Sequence, residues 1–294
     1  VPSVNNRQPL RLAVMDAERI LAGAGVASPR VDAELLAAHV LGVERGRLPL
    51  IPLVDPAAIE QLHKLVRRRA TREPLQHILG SAVMGRVPLD VGPGVFVPRP
   101  ETELLLEWGL RLLADVREPV VVDLCTGSGA LALGFAHERP DAVVHAVELD
   151  QTALAWARHN ADARAQNGDT PIRLHSGDVT DPGLLSQLDG TVHLVLCNPP
   201  YVPEGTPVPP EVADYDPPQA VFAADQGLAV IRHVVSAAAR LLRSGGGVAI
   251  EHDDTHGTAV PDLLATRKVL TAVTPHADLA GRPRFTTALR TSVS

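Results

Sequence analysis

From Pro100 onward the chain alternates short apolar runs with amphipathic stretches, and this rhythm limits the fold more than any other feature. Segments 120–124, 130–137, 143–148, 152–164, 172–175, 192–197, 228–242 and 247–251 alternate between strand-like and helix-like patterns. Val192–Cys197 is apolar apart from one histidine, as expected of a parallel strand buried on both faces. Strands joined through helices pair in parallel and are covered by helices on both sides. An α/β fold with a mostly parallel sheet follows. Segments 269–274 and 283–290 can supply a closing pair of strands.

The first 80 residues follow a different rule. Leu12, Met15, Ile20 and Leu21, then Val31, Leu35, Leu36, Val40 and Leu41, then Ile59, Leu62, Leu65 and Val66 recur at helical spacing. Gly23 and Gly25 close the first of these helices, Ser28-Pro29 opens the second and Gly42 ends it. Residues 1–80 are therefore expected to form a small helical domain without strands. Residues 81–98 hold β-prone pieces broken by Gly85, Gly92, Pro93 and Gly94, which predicts a β-hairpin linker. Residues 99–294 form the sheet domain. Segment 198–224, rich in Pro and acids, reads as a long ordered loop beside a site.

Two motifs leave carboxyl ends of the expected strands, where open α/β sheets bind ligands. Asp123-Leu-Cys-Thr-Gly-Ser-Gly129 joins the first strand to a helix, and Gly127 and Gly129 allow a ligand close to backbone. The strand 143–148 ends in Glu148, an acid able to take two ribose hydroxyls. Asp178 and Val179 follow the third strand, where they can flank an adenine, Asp178 accepting from its amino group. The second motif is Asn198-Pro199-Pro200-Tyr201. An amino group conjugated to a carbonyl or ring is a poor nucleophile. A site that alkylates it should accept hydrogen bonds from its N–H groups while aiming the nitrogen at the electrophile. The Asn198 side-chain oxygen and the Pro199 carbonyl are suitable acceptors, and Tyr201 can stack on the planar group. A nicotinamide-dependent dehydrogenase shares a glycine loop and a ribose acid, but Gly127-Ser-Gly-Ala-Leu-Ala lacks the final glycine and no substrate acid or base is evident. Together the motifs turn the reading toward S-adenosylmethionine. Asn-Pro-Pro by itself also terminates strands.

The chain resembles the HemK/PrmC release-factor glutamine methyltransferases. Four stretches carry the resemblance: Arg72-Glu-Pro-Leu-Gln-His-Ile-Leu-Gly80, Val97-Pro-Arg-Pro-Glu-Thr-Glu-Leu-Leu105, Asp123 to Gly129, and Asn198 to Tyr201. It implies a Rossmann-like class I S-adenosylmethionine-dependent methyltransferase that methylates the glutamine side-chain amide in the Gly-Gly-Gln motif of class 1 peptide chain release factors. It further implies that Asp123, Cys125, Thr126, Gly127, Ser128, Gly129, Glu148, Asp178, Val179 and Asn198 hold the donor. Phe96 with Arg99 and Glu101 would form a lid, and Asn198, Pro199, Pro200 and Tyr201 would hold the target glutamine. Cys125 stands where the family usually has Gly, Glu148 where it has Asp, Val179 at an often aromatic position, and Asp253 where Gly is common. The expected reaction is in-line attack of the amide nitrogen on the sulfonium methyl, without a covalent enzyme intermediate or a strong base.

Other readings compete with each of these. An adenine amino methyltransferase acting on DNA or RNA shares the Asn-Pro-Pro-Tyr logic on a flipped base. It should carry a basic recognition region, whereas this chain has a formal charge of −7. A methyltransferase of a ribosomal-protein glutamine is a nearer relative, against which Pro98-Arg-Pro-Glu-Thr-Glu103 weighs. A non-catalytic binder would not need an intact Asn198 to Tyr201. The basic run Lys64, Arg67, Arg68, Arg69 and Arg72 reads first as a solvated helix face and second as a dock for an acidic partner. Glu211, Asp214, Tyr215 and Asp216 read first as solvated loop residues and second as substrate contacts. Two cysteines give no disulfide framework, and the twelve histidines show no metal-ligand spacing. No apolar stretch suits a membrane span and the start lacks a signal-peptide pattern. A monomeric cytoplasmic protein, with no metal and no stable nucleic-acid partner, is expected.

Overall fold

The computed structural model describes residues 7–291, so the outermost residues of the expected domains 1–80 and 99–294 lie outside the described residues. In chain order the elements begin with β1 (Gln8–Pro9), α1 (Leu10–Gly23), α2 (Pro29–Leu41), β2 (Leu53–Val54), α3 (Pro56–Ala70) and α4 (Leu75–Leu79). The hairpin β3 (Ser81–Met84) and β4 (Val87–Asp90) comes next, followed by α5 (Glu103–Leu112), β5 (Val120–Leu124), α6 (Ala130–Glu138), β6 (Val143–Glu148), α7 (Gln151–Gln166), β7 (Arg173–Ser176) and β8 (Val192–Cys197). Then come β9 (Val202–Pro203), α8 (Pro210–Tyr215), α9 (Pro218–Val221), β10 (Phe222–Ala223), α10 (Ala229–Leu241), β11 (Leu242–Glu251), α11 (Ala259–Ala265), β12 (Leu270–Ala277) and β13 (Pro283–Arg290).

The chain divides into two compact units: residues up to Gly80 with Pro209–Tyr215, and Ser81–Val208 with the residues from Asp216 onward. In the first, α1 buries Leu10, Ala13, Val14, Ala17 and Leu21, and α3 buries Ile59, Leu62 and Val66. The buried stripe of α1 runs through Leu10, Ala13, Val14, Ala17 and Leu21, so Leu12 and Met15, expected on the apolar face, fall outside it and are exposed. Gly42, at φ 62°, ends α2 in the left-handed conformation that favours glycine. A two-residue antiparallel pairing of β1 with β2 interrupts the helices, which the sequence pattern does not signal.

Pro209–Tyr215 groups with this unit through charge. Arg69, buried on α3, donates from Nε to Asp32 Oδ2 at 2.7 Å and from Nη2 to Glu211 Oε1 at 2.9 Å. Arg72 forks onto both Glu211 oxygens at 2.7 Å. Arg68 pairs with Glu73, and Lys64 with Glu60. The basic run is therefore largely committed to acids of its own unit, and Glu211 is not a solvated loop acid.

In the second unit seven strands form one sheet in the order β12-β13-β11-β8-β5-β6-β7. β11, β8, β5, β6 and β7 run parallel, and β13 pairs antiparallel with both β11 and β12. Alternate residues of each strand serve opposite faces. Val122, Leu124, Val195 and Cys197 pack with Ile231, Val234 and Leu241 of α10 and with Val260 and Leu264 of α11. Val121, Leu194 and Leu196 pack with Leu105 and Leu106 of α5 and with Leu131 and Phe135 of α6. Met84, Val87 and Leu89 of the hairpin join this second layer, so the hairpin belongs to the sheet unit's core. The loop 198–224, expected to lack regular structure, contains β9, α8, α9 and β10, and β9 pairs in parallel with β10.

Burial pushes the Glu211 carboxyl up, but the Arg72 and Arg69 hydrogen bonds outweigh it and bring it from the usual 4.5 to about 2. A folded-state value below the unfolded one stabilises above the unfolded value, and this stabilisation is lost as pH falls toward the folded value. Urea denaturation is expected to show wild type losing about 2 kcal/mol more than Glu211→Gln between about pH 7 and pH 3.

Candidate functional site

The first parallel strand, β5, lies between β8 and β6, so β6 and β7 extend the sheet to one side of it and β8 and β11 to the other. Such a reversal opens a crevice at the carboxyl edge. A cavity of about 590 Å³ lies there in the second unit, lined by residues that include Phe96, Thr102, Asp123, Cys125, Thr126, Gly127, Ser128, Glu148, Asp178, Val179, Asn198 and Pro200. Pro217, Gln219 and Ala220 bring the end of the long loop into the lining. Gly129, Pro199, Arg99, Glu101 and Tyr201 are not among the lining residues.

Loop 125–129 is held by its backbone. The Thr126 N–H donates to Val147 O at 3.0 Å, and the Gly129 N–H to Thr126 O at 2.9 Å. Gly127 and Gly129 take φ 57° and 86°, and a side chain at 129 would press on Leu133. Cys125 takes φ 61° without being glycine, a conformation that costs an L-residue about 1 kcal/mol. Asn160 of α7 ties the loop to the hairpin. Its Nδ2 donates to Ser128 O at 2.9 Å and Asp90 O at 3.0 Å, while its Oδ1 accepts from Asp90 N.

Asp123 is 1% exposed. Its Oδ2 accepts from Thr126 Oγ1 at 2.5 Å and from Ala132 N at 3.2 Å, whereas Oδ1 has no partner. Burial, opposed by those two donors, pushes its carboxyl up to about 7. Glu148 Oε2 accepts from Gly127 N at 2.8 Å, and Oε1 from both Leu149 N and Asp150 N at 2.9 Å. Burial raises it against these three donors. Oε2 has more spare accepting capacity than Oε1, so the two-hydroxyl role expected of Glu148 is not shared evenly by its oxygens. Asp178 Oδ1 accepts from Thr180 N at 2.8 Å, which lowers its carboxyl, and Val179 packs against the core face shared with α10.

The expected lid is an ordered arrangement. The Arg99 guanidinium lies over the Phe96 ring at 4.8 Å and pairs with Asp216 Oδ2 at 2.5 Å. Asp216 is buried, and burial raises its carboxyl against the Arg99 charge. It is thus not a solvated acid. Glu101 is placed near Glu251, whose carboxyl its charge helps to raise.

At the end of β8, Asn198 Nδ2 donates to Thr102 Oγ1 at 3.2 Å, and Thr102 Oγ1 donates to Glu251 Oε2 at 2.7 Å. The Tyr201 hydroxyl donates to Glu251 Oε1 at 2.9 Å, and its ring packs against the sheet core. The hydroxyl end of Tyr201 is thus committed to Glu251. Thr102 and Glu251 escaped sequence reasoning as site residues. Glu251 does carry a signal, an acid ending a buried apolar strand as Glu148 does. Pro199 is buried. Among the described residues no group of three or more His, Cys, Asp or Glu is placed to hold a metal ion, and no helix is long and apolar enough to cross a membrane.

The orphaned Asp123 oxygen, the glycine-lined turn and the carboxylate ending β6 fit a cationic nucleoside such as S-adenosylmethionine. Replacing Cys125 by Gly is expected to raise the melting temperature by about 2 °C, as relief of about 1 kcal/mol implies. Cys125→Ala, measured alongside by calorimetry, should give no such gain.

Comparison with known proteins agrees with this chemistry. Residues 13–80 match the PrmC N-terminal domain and residues 93–212 the methyltransferase small domain. The release factor glutamine methyltransferase of Mycolicibacterium smegmatis is 52% identical over 281 residues, spanning 96% of this chain and 98% of that one. The 4-amino-L-phenylalanine/4-methylamino-L-phenylalanine methyltransferase of Streptomyces pristinaespiralis is 42% identical over 263 residues, 87% of each chain. Among solved structures, the 16S rRNA N2 G1207 methyltransferase of T. Thermophilus, in complex with AdoMet and guanosine, superposes with a TM-score of 0.51 at 22% identity, covering 71% of this chain and 49% of that one. That likeness shows the fold, a class I S-adenosylmethionine-dependent methyltransferase fold.

Proposed function

The chain belongs to the family of release factor glutamine methyltransferases, and on that premise we propose that it methylates the side-chain amide of the glutamine in the Gly-Gly-Gln motif of class 1 peptide chain release factors. The observation that carries this reading is the placement of Asn198 on the donor-sized cavity, one residue past β8, with Pro199 directly after it. S-adenosylmethionine, when bound, supplies an electrophilic methyl group on a sulfonium.

Asp123, Cys125, Thr126, Gly127, Ser128, Glu148, Asp178 and Val179 would hold the donor, with Phe96 and Asn198 beside them. Gly129 would serve by shaping the turn. Arg99 would act through Phe96 and Asp216, not by touching the donor. The Asn198 Oδ1 and the Pro199 carbonyl would accept the two N–H groups of the target amide, orienting its nitrogen lone pair and stabilising the positive charge that grows there. Pro199 and Pro200 lack N–H groups that would compete for these acceptors. The amide proton becomes acidic as the new bond forms and leaves to water. Residues 1–80 would supply recognition of the release factor, and a single chain would suffice.

Mass spectrometry of an unmethylated class 1 release factor, after incubation with this protein and S-adenosylmethionine, should show one added methyl on the Gly-Gly-Gln glutamine. Asn198→Ala should lower the rate about 100-fold or more. The Streptomyces pristinaespiralis relative supports a second reading, a free aromatic amine as acceptor. Methylation of 4-amino-L-phenylalanine with the release factor left unmodified would favour it. Donor binding provides a separate check. A cation beside Asp123 favours its ionised form, so calorimetric affinity is expected to weaken up to about tenfold per unit as pH falls below about 7. It should be flat above that pH, and Asp123→Asn should remove the dependence.

A further inference from the structure

A carboxamide that must accept from a substrate N–H has to present its oxygen, yet its two ends are nearly the same in shape. What decides between them is the partner on the hidden side. In this chain that partner is Thr102 Oγ1, which receives Asn198 Nδ2 at 3.2 Å. A hydroxyl carries one proton, and that of Thr102 goes to Glu251 Oε2 at 2.7 Å. Toward Asn198, Thr102 can then only accept. Thr102 is 3% exposed and Glu251 1% exposed, so bulk water does not compete for either group.

We propose that Glu251, acting through Thr102, sets the polarity of the Asn198 carboxamide so that Oδ1 faces the cavity, and that both are positioning residues for methyl transfer. The role rests on the reading of Asn198 as the acceptor of the target amide. An ionised carboxylate only accepts, and this one accepts twice, since Tyr201 donates to Oε1 at 2.9 Å. A carboxamide at 251 cannot reproduce that. One of its ends must donate, either to Thr102 or to Tyr201. If it donates to Thr102, the hydroxyl proton turns toward Asn198, which then offers Oδ1 inward and Nδ2 to the cavity. Two N–H groups would face one another where the substrate amide should sit. The two hydroxyl donors and the charge of Arg284 compensate the buried carboxylate at 251.

Two measurements on the full chain test this. Hydrogen exchange of the Asn198 side-chain NH2, followed by NMR and assigned by its loss in Asn198→Asp, needs no substrate. The NH2 should be protected in wild type and in Thr102→Ser, and should exchange about tenfold faster in Thr102→Val and Glu251→Gln. Equal exchange in wild type and Thr102→Val would overturn the proposal. With the release factor as acceptor, Glu251→Gln and Thr102→Val should lower kcat about 10- to 100-fold while calorimetric affinity for S-adenosylmethionine is unchanged. Thr102→Ser should recover most of the loss. A fall in donor affinity that matches the fall in kcat, or a Thr102→Ser variant as impaired as Thr102→Val, would reduce the relay to a structural role. Absence of methylation by wild type would reject the release factor as substrate, and the exchange result would still decide the relay.

Discussion

The parallel register of β5 with its two neighbours is the constraint on which the site depends. Leu124 stands opposite Cys197 on one side and Val147 on the other. The loop 125–129 and the Asn198 to Tyr201 turn therefore leave the sheet side by side, with Glu148 one residue beyond. A slip of one residue would exchange the two faces of a strand. Here it would turn Val122 and Leu124 away from α10 and place Val121 among its side chains. Two separate hydrophobic layers thus enforce one register, and the register places the chemistry.

The same edge collects acids. Asp123, Glu148 and Glu251 lie at or next to the ends of three strands, and burial raises the carboxyl of each. Different donors offset that cost: a hydroxyl and one backbone N–H at Asp123, three backbone N–H groups at Glu148, two hydroxyls and a nearby guanidinium at Glu251. Asp123 alone of the three keeps an oxygen without a partner. Leaving one acceptor unmatched beside a cavity is costly in an isolated protein and useful in one that binds a cation there.

The features legible in the sequence were those with local signals. Strands β5, β6 and β8 announce themselves as apolar runs, and the glycine turn and Asn198 to Tyr201 sit where those runs end. The parallel part of the sheet and part of the cavity lining follow from that alone. Pairings without periodicity stayed hidden. Glu211 meets Arg69 across 142 residues and Thr102 meets Glu251 across 149, and nothing near either residue marks its partner. The same holds for Asp216 with Arg99, across 117 residues. The bond of Tyr201 to Glu251 stayed hidden as well, because a motif specifies the residue and its backbone position but not where its hydroxyl finds an acceptor. Leu12 and Met15 share helical spacing with apolar neighbours but not the phase of the buried stripe, which passes through Leu10, Ala13, Val14, Ala17 and Leu21.

The proposed methyl transfer requires Asn198 and Pro199 to meet the acceptor amide at the same edge that would hold the donor. A crystal structure of the protein with S-adenosylhomocysteine and a Gly-Gly-Gln peptide tests this most directly. The glutamine nitrogen is expected within hydrogen-bonding distance of both the Asn198 Oδ1 and the Pro199 carbonyl, facing the sulfur across the gap that the methyl group would fill. A glutamine bound away from these two acceptors, or a nucleoside bound outside the cavity at the ends of β5 and β6, would contradict it.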